Sequence, residues 1–364
     1  MGDVETHAYH DRQGHQTVSR ENPVTNVNAC GHQPRVYIVI LNWNGWSDTI
    51  ACVESVLQQD YENFRIIICD NGSTDDSVAH LLKWAAATLP MRGGKNRTMM
   101  TLDEMPAGQF RDPATHGDLI LLKNHRNLGF AGGNNAGLKL ALACGDLDYA
   151  WLLNNDTVVQ PGSLPRLIEK MQSRAGIGIC GSTLLYDDER HTVQARGATY
   201  HKWFSRTRNV GLLQNASQPI DEDAYARKMD YVVGASMLVS RQFLETIGLM
   251  SEEYFLYFEE LDWTLRARGK YSFAYASRSF VYHKGGASTG ADVAKKSIIG
   301  EYYGTRGRIL FTRKFYPYAL PTVLLAITFS MFIQVFRGHF RIARTILAAV
   351  TDGLRGRVGV RANA

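Results

Sequence analysis

The chain predicts an α/β fold: an open, mostly parallel sheet flanked by helices, with a membrane-associating helical segment toward the C-terminus. Three observations carry this. Short β-branched or aliphatic runs at Arg35–Leu41, Phe64–Cys69, Leu119–Lys123 and Trp151–Leu153 alternate with helical stretches, as buried parallel strands joined by helices do. Each run passes straight into a polar loop, so the loops gather at one sheet edge, where open α/β sheets bind ligands. The stretch Tyr316–Phe336 holds no charged residue, and arginines follow it.

The length of 364 residues suits one large domain plus an appendage. The expected division is a disordered tail over 1–33, an α/β domain over 34–315 and a membrane-associating segment over 316–364. The tail is polar, rich in His, Asn and Gln, and lacks the apolar core of a secretory signal. Net charge is a modest +5, with Lys and Arg concentrated between Lys295 and Arg361. That asymmetry points to an anionic surface near the C-terminus, with no nucleic acid expected as partner. Five cysteines without metal-type spacing suit a reduced, cytosolic protein.

After the first strand, Asn42-Trp43-Asn44-Gly45 forms a loop, and Ser47 or Asp48 caps a helix running to about Gln59. The second strand leads into Asp70–Asp76, and a helix spans Val78–Ala87. Thr88–Asp118 then breaks the rhythm, too long for an ordinary connection, and reads as an insertion or flap. Following Leu119–Lys123, the loop Asn124–Asn135 is glycine-rich, letting backbone approach a ligand, with a helix over Ala136–Ala143 aimed at an anion. It matches neither the dinucleotide fingerprint nor the P-loop. Arg126 either pairs with a phosphate or is simply exposed.

Trp151–Thr157 is the organising stretch. Asp156 at a strand end is a hard oxygen donor suited to Mg or Mn carrying a diphosphate; alternatively, Asn154, Asn155 and Asp156 merely turn the chain. Pro161–Ser173 reads as a helix and Gly178–Leu185 as a strand, while 186–230 has no clear pattern. Val232–Ser240 is strand-like, and its small residues either admit a sugar or pack tightly. Glu259, Glu260 and Asp262 lie beside aromatics, fitting either a general base of raised pKa or a helix first turn serving the dipole. Strands over Ser272–His283 end before glycines, and His283 is either structural or a metal ligand.

About 21 residues from Tyr316 to Phe336 would reach roughly 30 Å as a helix, enough for one span. Pro317 and Pro321 shorten its regular part, so an in-plane or re-entrant helix is the alternative, and a buried core helix a third. Arg337, Arg341, Arg344, Arg355, Arg357 and Arg361, interleaved with Ile342, Ile346, Leu347 and Val350, suit anionic headgroups.

Taken in order, Val39–Gly45, Ile67–Asp76, Asn127–Gly137, Trp151–Thr157, Gly234–Arg241, Tyr254–Arg266 and Tyr302–Arg308 resemble an inverting glycosyltransferase of family 2 with a GT-A fold, bacterial rhamnosyltransferases above all. The resemblance implies a nucleotide-sugar donor, with dTDP-rhamnose favoured over a UDP-sugar, and a lipid-linked or glycan acceptor at the cytoplasmic face of the membrane. It places Asn42, Asn44 and Asp70 at the nucleotide base, and Arg126, Asn127, Gly129, Phe130, Asn134 and Asn155 along the donor. Mg or Mn falls to Asp156 and His283, although Asn154-Asn155-Asp156 stands where the family writes Asp-x-Asp. Glu260 takes the base position, Asp262 competes for it, and Glu259 orients its neighbours or the acceptor. A noncatalytic nucleotide-binding scaffold is the rival outside the enzyme class.

Overall fold

The computed structural model describes residues 33–89, 97–103, 118–285 and 298–361. The tail expected over 1–33 and most of 88–118 lie outside them. The first half runs β1 (Val36–Asn42), α1 (Trp46–Val56), β2 (Phe64–Asn71), α2 (Ser77–Thr88), β3 (Met99–Asp103), β4 (Leu119–Asn124), α3 (Gly129–Ala143), β5 (Tyr149–Asn154), β6 (Thr157–Val159), α4 (Ser163–Gln172) and β7 (Ile177–Tyr186). The second half follows with β8 (Val193–Ala195), β9 (Ala198–His201), β10 (Arg206–Asn209), α5 (Glu222–Lys228), β11 (Ser236–Ser240), α6 (Arg241–Ile247), α7 (Glu259–Ala267), β12 (Ser272–His283), α8 (Ile298–Phe315), α9 (Leu320–Phe336) and α10 (Phe340–Leu354).

The main sheet has the order β3-β4-β2-β1-β5-β11-β7-β12-β6 and is parallel from β3 through β5. β11 then inserts antiparallel between β5 and β7, and β12 runs parallel to β7. The apolar runs of β1 and β2 are continuous because both faces are covered. Val36, Ile38, Ile40, Ile66 and Ile68 pack with α1, whereas Tyr37, Val39, Ile67 and Cys69 pack with α3, as the two-residue period requires.

Helix α3 begins at Gly129, seven residues before the expected Ala136. Its glycines are packing devices as well as loop formers. A Cβ at Gly133 would strike Leu41, and one at Gly137 would fall 2.6 Å from Val39 Cγ1 and 2.8 Å from Cys69 Sγ. The helix therefore lies closer to β1 and β2 than side chains would allow. Within the expected insertion, Met99–Asp103 forms the edge strand β3 on β4. The unplaced interval 186–230 supplies β8, the β9–β10 hairpin and α5. Cys52, Cys69, Cys144 and Cys180 are buried and free.

Helices α8, α9 and α10 share a small core of Ile309, Val323, Ile327 and Ile346. Packing therefore continues across residue 315, where the domain was expected to end; only a tight turn at Pro317–Ala319 marks the place. Pro317–Phe336 is the one helix among the described residues that is long and apolar enough to cross a membrane by length and composition.

Candidate active site

The ends of β1 and β2 form the first part of the site. Asn42 Nδ2 donates to Asp70 Oδ1 at 2.7 Å and to Ser73 Oγ at 3.1 Å, while Thr49 Oγ1 donates to Asn42 Oδ1 at 2.7 Å. Ser73 N–H closes on Asp70 Oδ2, and Asn44 Oδ1 accepts from Thr74 N–H at 2.7 Å. Asn42 and Asp70 are buried, so the bonds of Asn42 to Asp70 and Thr49 act where water does not compete. Asn155 belongs to the same network through Gly45 O and Thr49 Oγ1, so its amide group fixes the start of α1.

The glycine-rich loop before α3 is organised from inside by Asn71, a residue the sequence reading did not single out. Its Nδ2 donates to Asn127 Oδ1 and Gly129 O, and its Oδ1 accepts from Asn124 Nδ2 and Leu128 N–H. Asn127 Oδ1 also accepts Gly129 N–H at 2.8 Å. Gly129 has φ +76°, and a Cβ there would collide with Phe255 O, so glycine is required. Asn134 is buried and donates to Phe130 O at 2.9 Å. Arg126 is exposed, with its backbone packed on Gly72.

Asp156 and His283 meet because β12 runs antiparallel to β6, bringing His283 into register with Thr157. His283 Nε2 lies 3.4 Å from Asp156 Oδ1 and 3.4 Å from Asn154 Nδ2. Its Nδ1 faces Gln194 Oε1 at 2.6 Å, and in the tautomer that donates there the lone pair lies on Nε2. A carboxylate oxygen and an imidazole lone pair then face one another, an arrangement that a shared divalent cation satisfies. Gln194, from β8, gave no signal in the sequence. Among the described residues no cluster of three His, Cys, Asp or Glu gathers, so water and substrate oxygens would complete such a shell.

The acidic group opposite is entered through a strained turn. Phe255, Tyr257 and Phe258 all take left-handed φ, of 71°, 68° and 74°. Phe255 O accepts Phe130 N–H at 2.8 Å, tying this turn to the glycine-rich loop. Glu259 is buried with no side-chain donor among the described residues, and burial, then the neighbouring Glu260, pushes its pKa well up. Glu260 is half-buried, and desolvation raises its pKa as well. Its Oε1 rests against Gly234, where any Cβ would collide with it and would meet Phe130 Cζ at 3.1 Å. Gly234 adjoins Ala235, whose carbonyl accepts Asn154 N–H, so Glu260 and the Asp156–His283 pair share one sheet edge.

Asp262 stands apart from this arrangement. Its oxygens accept from Tyr254 Oη at 2.8 Å and Arg266 Nε at 2.7 Å, and Lys314 Nζ lies 2.8 Å away. A fully buried carboxylate held by two cations and a phenol is a structural tie, and the geometry leaves it nothing to accept from a substrate.

With the geometry in place, comparison with known proteins gives the class. The chain belongs to glycosyl transferase family 2, whose family model matches residues 37–99 and 106–248. A curated relative, the low-salt glycan biosynthesis hexosyltransferase Agl10 of Haloferax volcanii, is 25% identical over 169 residues, 46% of this chain and 52% of that protein. The chain thus matches about half the length of that relative. Among solved structures, the mannosyltransferase PcManGT of Pyrobaculum calidifontis, in complex with GDP-Man and Mn2+, is similar at a TM-score of 0.50 and 11% identity, covering 89% of this chain and 88% of that one. The fold is GT-A-like.

Proposed function

We propose that the protein is an inverting, metal-dependent glycosyltransferase that moves L-rhamnose from dTDP-rhamnose to a hydroxyl of a lipid-linked or polysaccharide acceptor in bacterial cell-surface glycan synthesis, working at the inner face of the cytoplasmic membrane. One observation carries the enzymatic reading. Glu260, of raised pKa, is aimed at Gly234 and Phe130 on the same edge as the Asp156–His283 pair. A base and a leaving-group site are therefore held together but apart.

In this reading Asn42, Asp70 and Asn44 receive the base and ribose. Arg126 and the start of α3 face the diphosphate, where backbone N–H groups favour negative charge. Asp156 and His283 would hold Mg or Mn, which supplies charge neutralisation to the departing diphosphate. Glu260 takes the proton from the acceptor hydroxyl as that oxygen attacks C1 of the sugar, while the C1–O bond to the diphosphate breaks. One displacement of this kind inverts the anomeric centre and requires no covalent intermediate. Glu259, whose own pKa is raised by burial and by the neighbouring Glu260, orients its neighbours or the acceptor.

The choice of rhamnose rests on the resemblance to rhamnosyltransferases, and the hexosyltransferase relative supports a role in glycan biosynthesis. Thermal stabilisation by a panel of nucleotide sugars with Mg, Mn or EDTA tests it, because ligand binding raises stability with affinity. The expected result is a metal-dependent shift with dTDP-rhamnose. A shift with a UDP-sugar alone would replace the donor and keep the mechanism, and no shift with any donor would point to a scaffold.

A further inference from the structure

The outer side of α9 carries a stripe that no part of the described chain covers. Tyr318, Leu325, Phe329, Phe332 and Phe336 recur at helical spacing and are 53–89% exposed, and Phe340 continues the line. The opposite side of the helix is occupied: Val323 and Ile327 pack with Ile309 of α8 and Ile346 of α10. At the stripe's N-terminal end stands the tip of the β9–β10 hairpin. Thr322 Oγ1 donates to Trp203 O at 2.6 Å, the Trp203 ring meets Tyr318 at 5.5 Å, and Lys202 Nζ lies within 6 Å of both rings. Trp203 and Phe204 are themselves exposed.

Charge identifies the occupant. No Asp or Glu lies between Lys314 and Asp352, whereas Arg337, Arg341 and Arg344 do, and Lys202, Arg206 and Arg208 flank the hairpin tip. Aromatic and aliphatic side chains bordered by cations at both ends match the boundary of an anionic bilayer.

Packing also settles how deep the chain can go. α10 returns along α8, with Tyr302 Oη on Asp352 at 2.7 Å and Arg313 Nη1 on Gly353 O at 2.9 Å, and α8 is part of the catalytic domain's core through Tyr254 and Phe311. Beyond Ile327, its last buried residue, α9 has nine residues before it ends, about 14 Å at helical rise. That is half the roughly 30 Å hydrocarbon thickness. A crossing would also draw Arg341 and Arg344 through it.

We infer that α9 lies along one leaflet of an anionic bilayer without crossing it, and that the Trp203–Phe204 tip is a second, separate point of insertion. The inference rests on the membrane association proposed above and specifies its partner and mode. Two contacts, from elements far apart in sequence, fix the orientation of the catalytic domain on the surface.

The test uses the full chain with vesicles of phosphatidylcholine, with and without phosphatidylglycerol. The wild type is expected to float with the phosphatidylglycerol vesicles, and W203A/F204A to bind them about tenfold more weakly while its thermal stability stays at the wild-type level. Equal binding by the variant would remove the second contact and leave membrane association intact. In a C30S background, H339C is expected to react with a membrane-impermeant maleimide added outside the vesicles. Protection until detergent is added would establish a crossing and overturn the in-plane mode. Failure of the wild type to float with either vesicle would overturn the membrane reading itself, and a stable dimer abolished by W203A/F204A would assign the stripe to a second copy.

Discussion

At the Asp70 end of the cleft, the carboxylate is met by Asn42 Nδ2 and Ser73 N–H from the ends of regular strands. At the Glu260 end, two adjacent carboxylates follow three left-handed residues and are driven up in pKa by burial. The first region pairs its polar groups within the fold. The second keeps theirs underused, each left-handed residue costing about 1 kcal/mol or more. That cost persists because Phe255 is held by Phe130 N–H and the Tyr303 ring, and Arg306 Nη2 donates to Tyr254 O at 3.0 Å. Left-handed backbone occurs at both ends, at Asn44 (φ 51°) in the first, where an asparagine tolerates it, and at three aromatic residues in the second, which ordinarily do not adopt it.

Substitutions can break this contrast in turn. The largest effect is expected from E260Q, which should lower the rate of transfer by about 10²–10⁴-fold with donor affinity unchanged, as measured by initial rates and donor titration. Equal rates would move the base elsewhere. D156A should weaken donor binding about 10–100-fold in the presence of Mg or Mn and leave binding in EDTA unaltered, as calorimetry would show. An unchanged metal-dependent affinity would remove Asp156 from the shell.

R306M tests the clamp on the strained turn. It leaves the carbonyls of Tyr254 and Gly359 without a donor and should cost about 3 kcal/mol in denaturant unfolding, with kcat falling more than KM. The smallest effect concerns Glu259. Its folded pKa lies above the ordinary 4.5, so below about 4.5 both states hold the proton and burial costs nothing. As pH rises, the unfolded state ionises first and the wild type loses stability until the folded pKa is reached. E259Q should therefore melt higher than the wild type at pH 7 by a few degrees, with the gap closing near pH 4.

The strand-end region was the legible one. β1, β2, β4 and β5 announce themselves as apolar runs ending in Asn42, Asp70, Asn124 and Asn154, because buried parallel strands leave little compositional choice. Glycines misplaced the start of α3, since Gly133 and Gly137 serve helix–sheet approach rather than a loop. β8 and the β9–β10 hairpin stayed hidden because they are only three or four residues long and carry no apolar run, β10 being Arg-Thr-Arg-Asn. The partners Gln194–His283 and Lys314–Asp262 are set by tertiary register, which no local pattern encodes. The same holds for the left-handed turn, whose Phe255, Tyr257 and Phe258 are residues that ordinarily avoid it.

Arg306 reaches Gly359 O at 2.6 Å as well as Tyr254 O, and Gly359 N–H donates to Glu253 O. The turn that presents Glu260 is therefore completed by residues synthesised about a hundred positions later. At about 5–20 residues per second, a ribosome needs several seconds to make that interval, during which the nucleotide-binding strands can already pair. On the function proposed above, the donor-binding strands would form before the turn that carries Glu260 is locked.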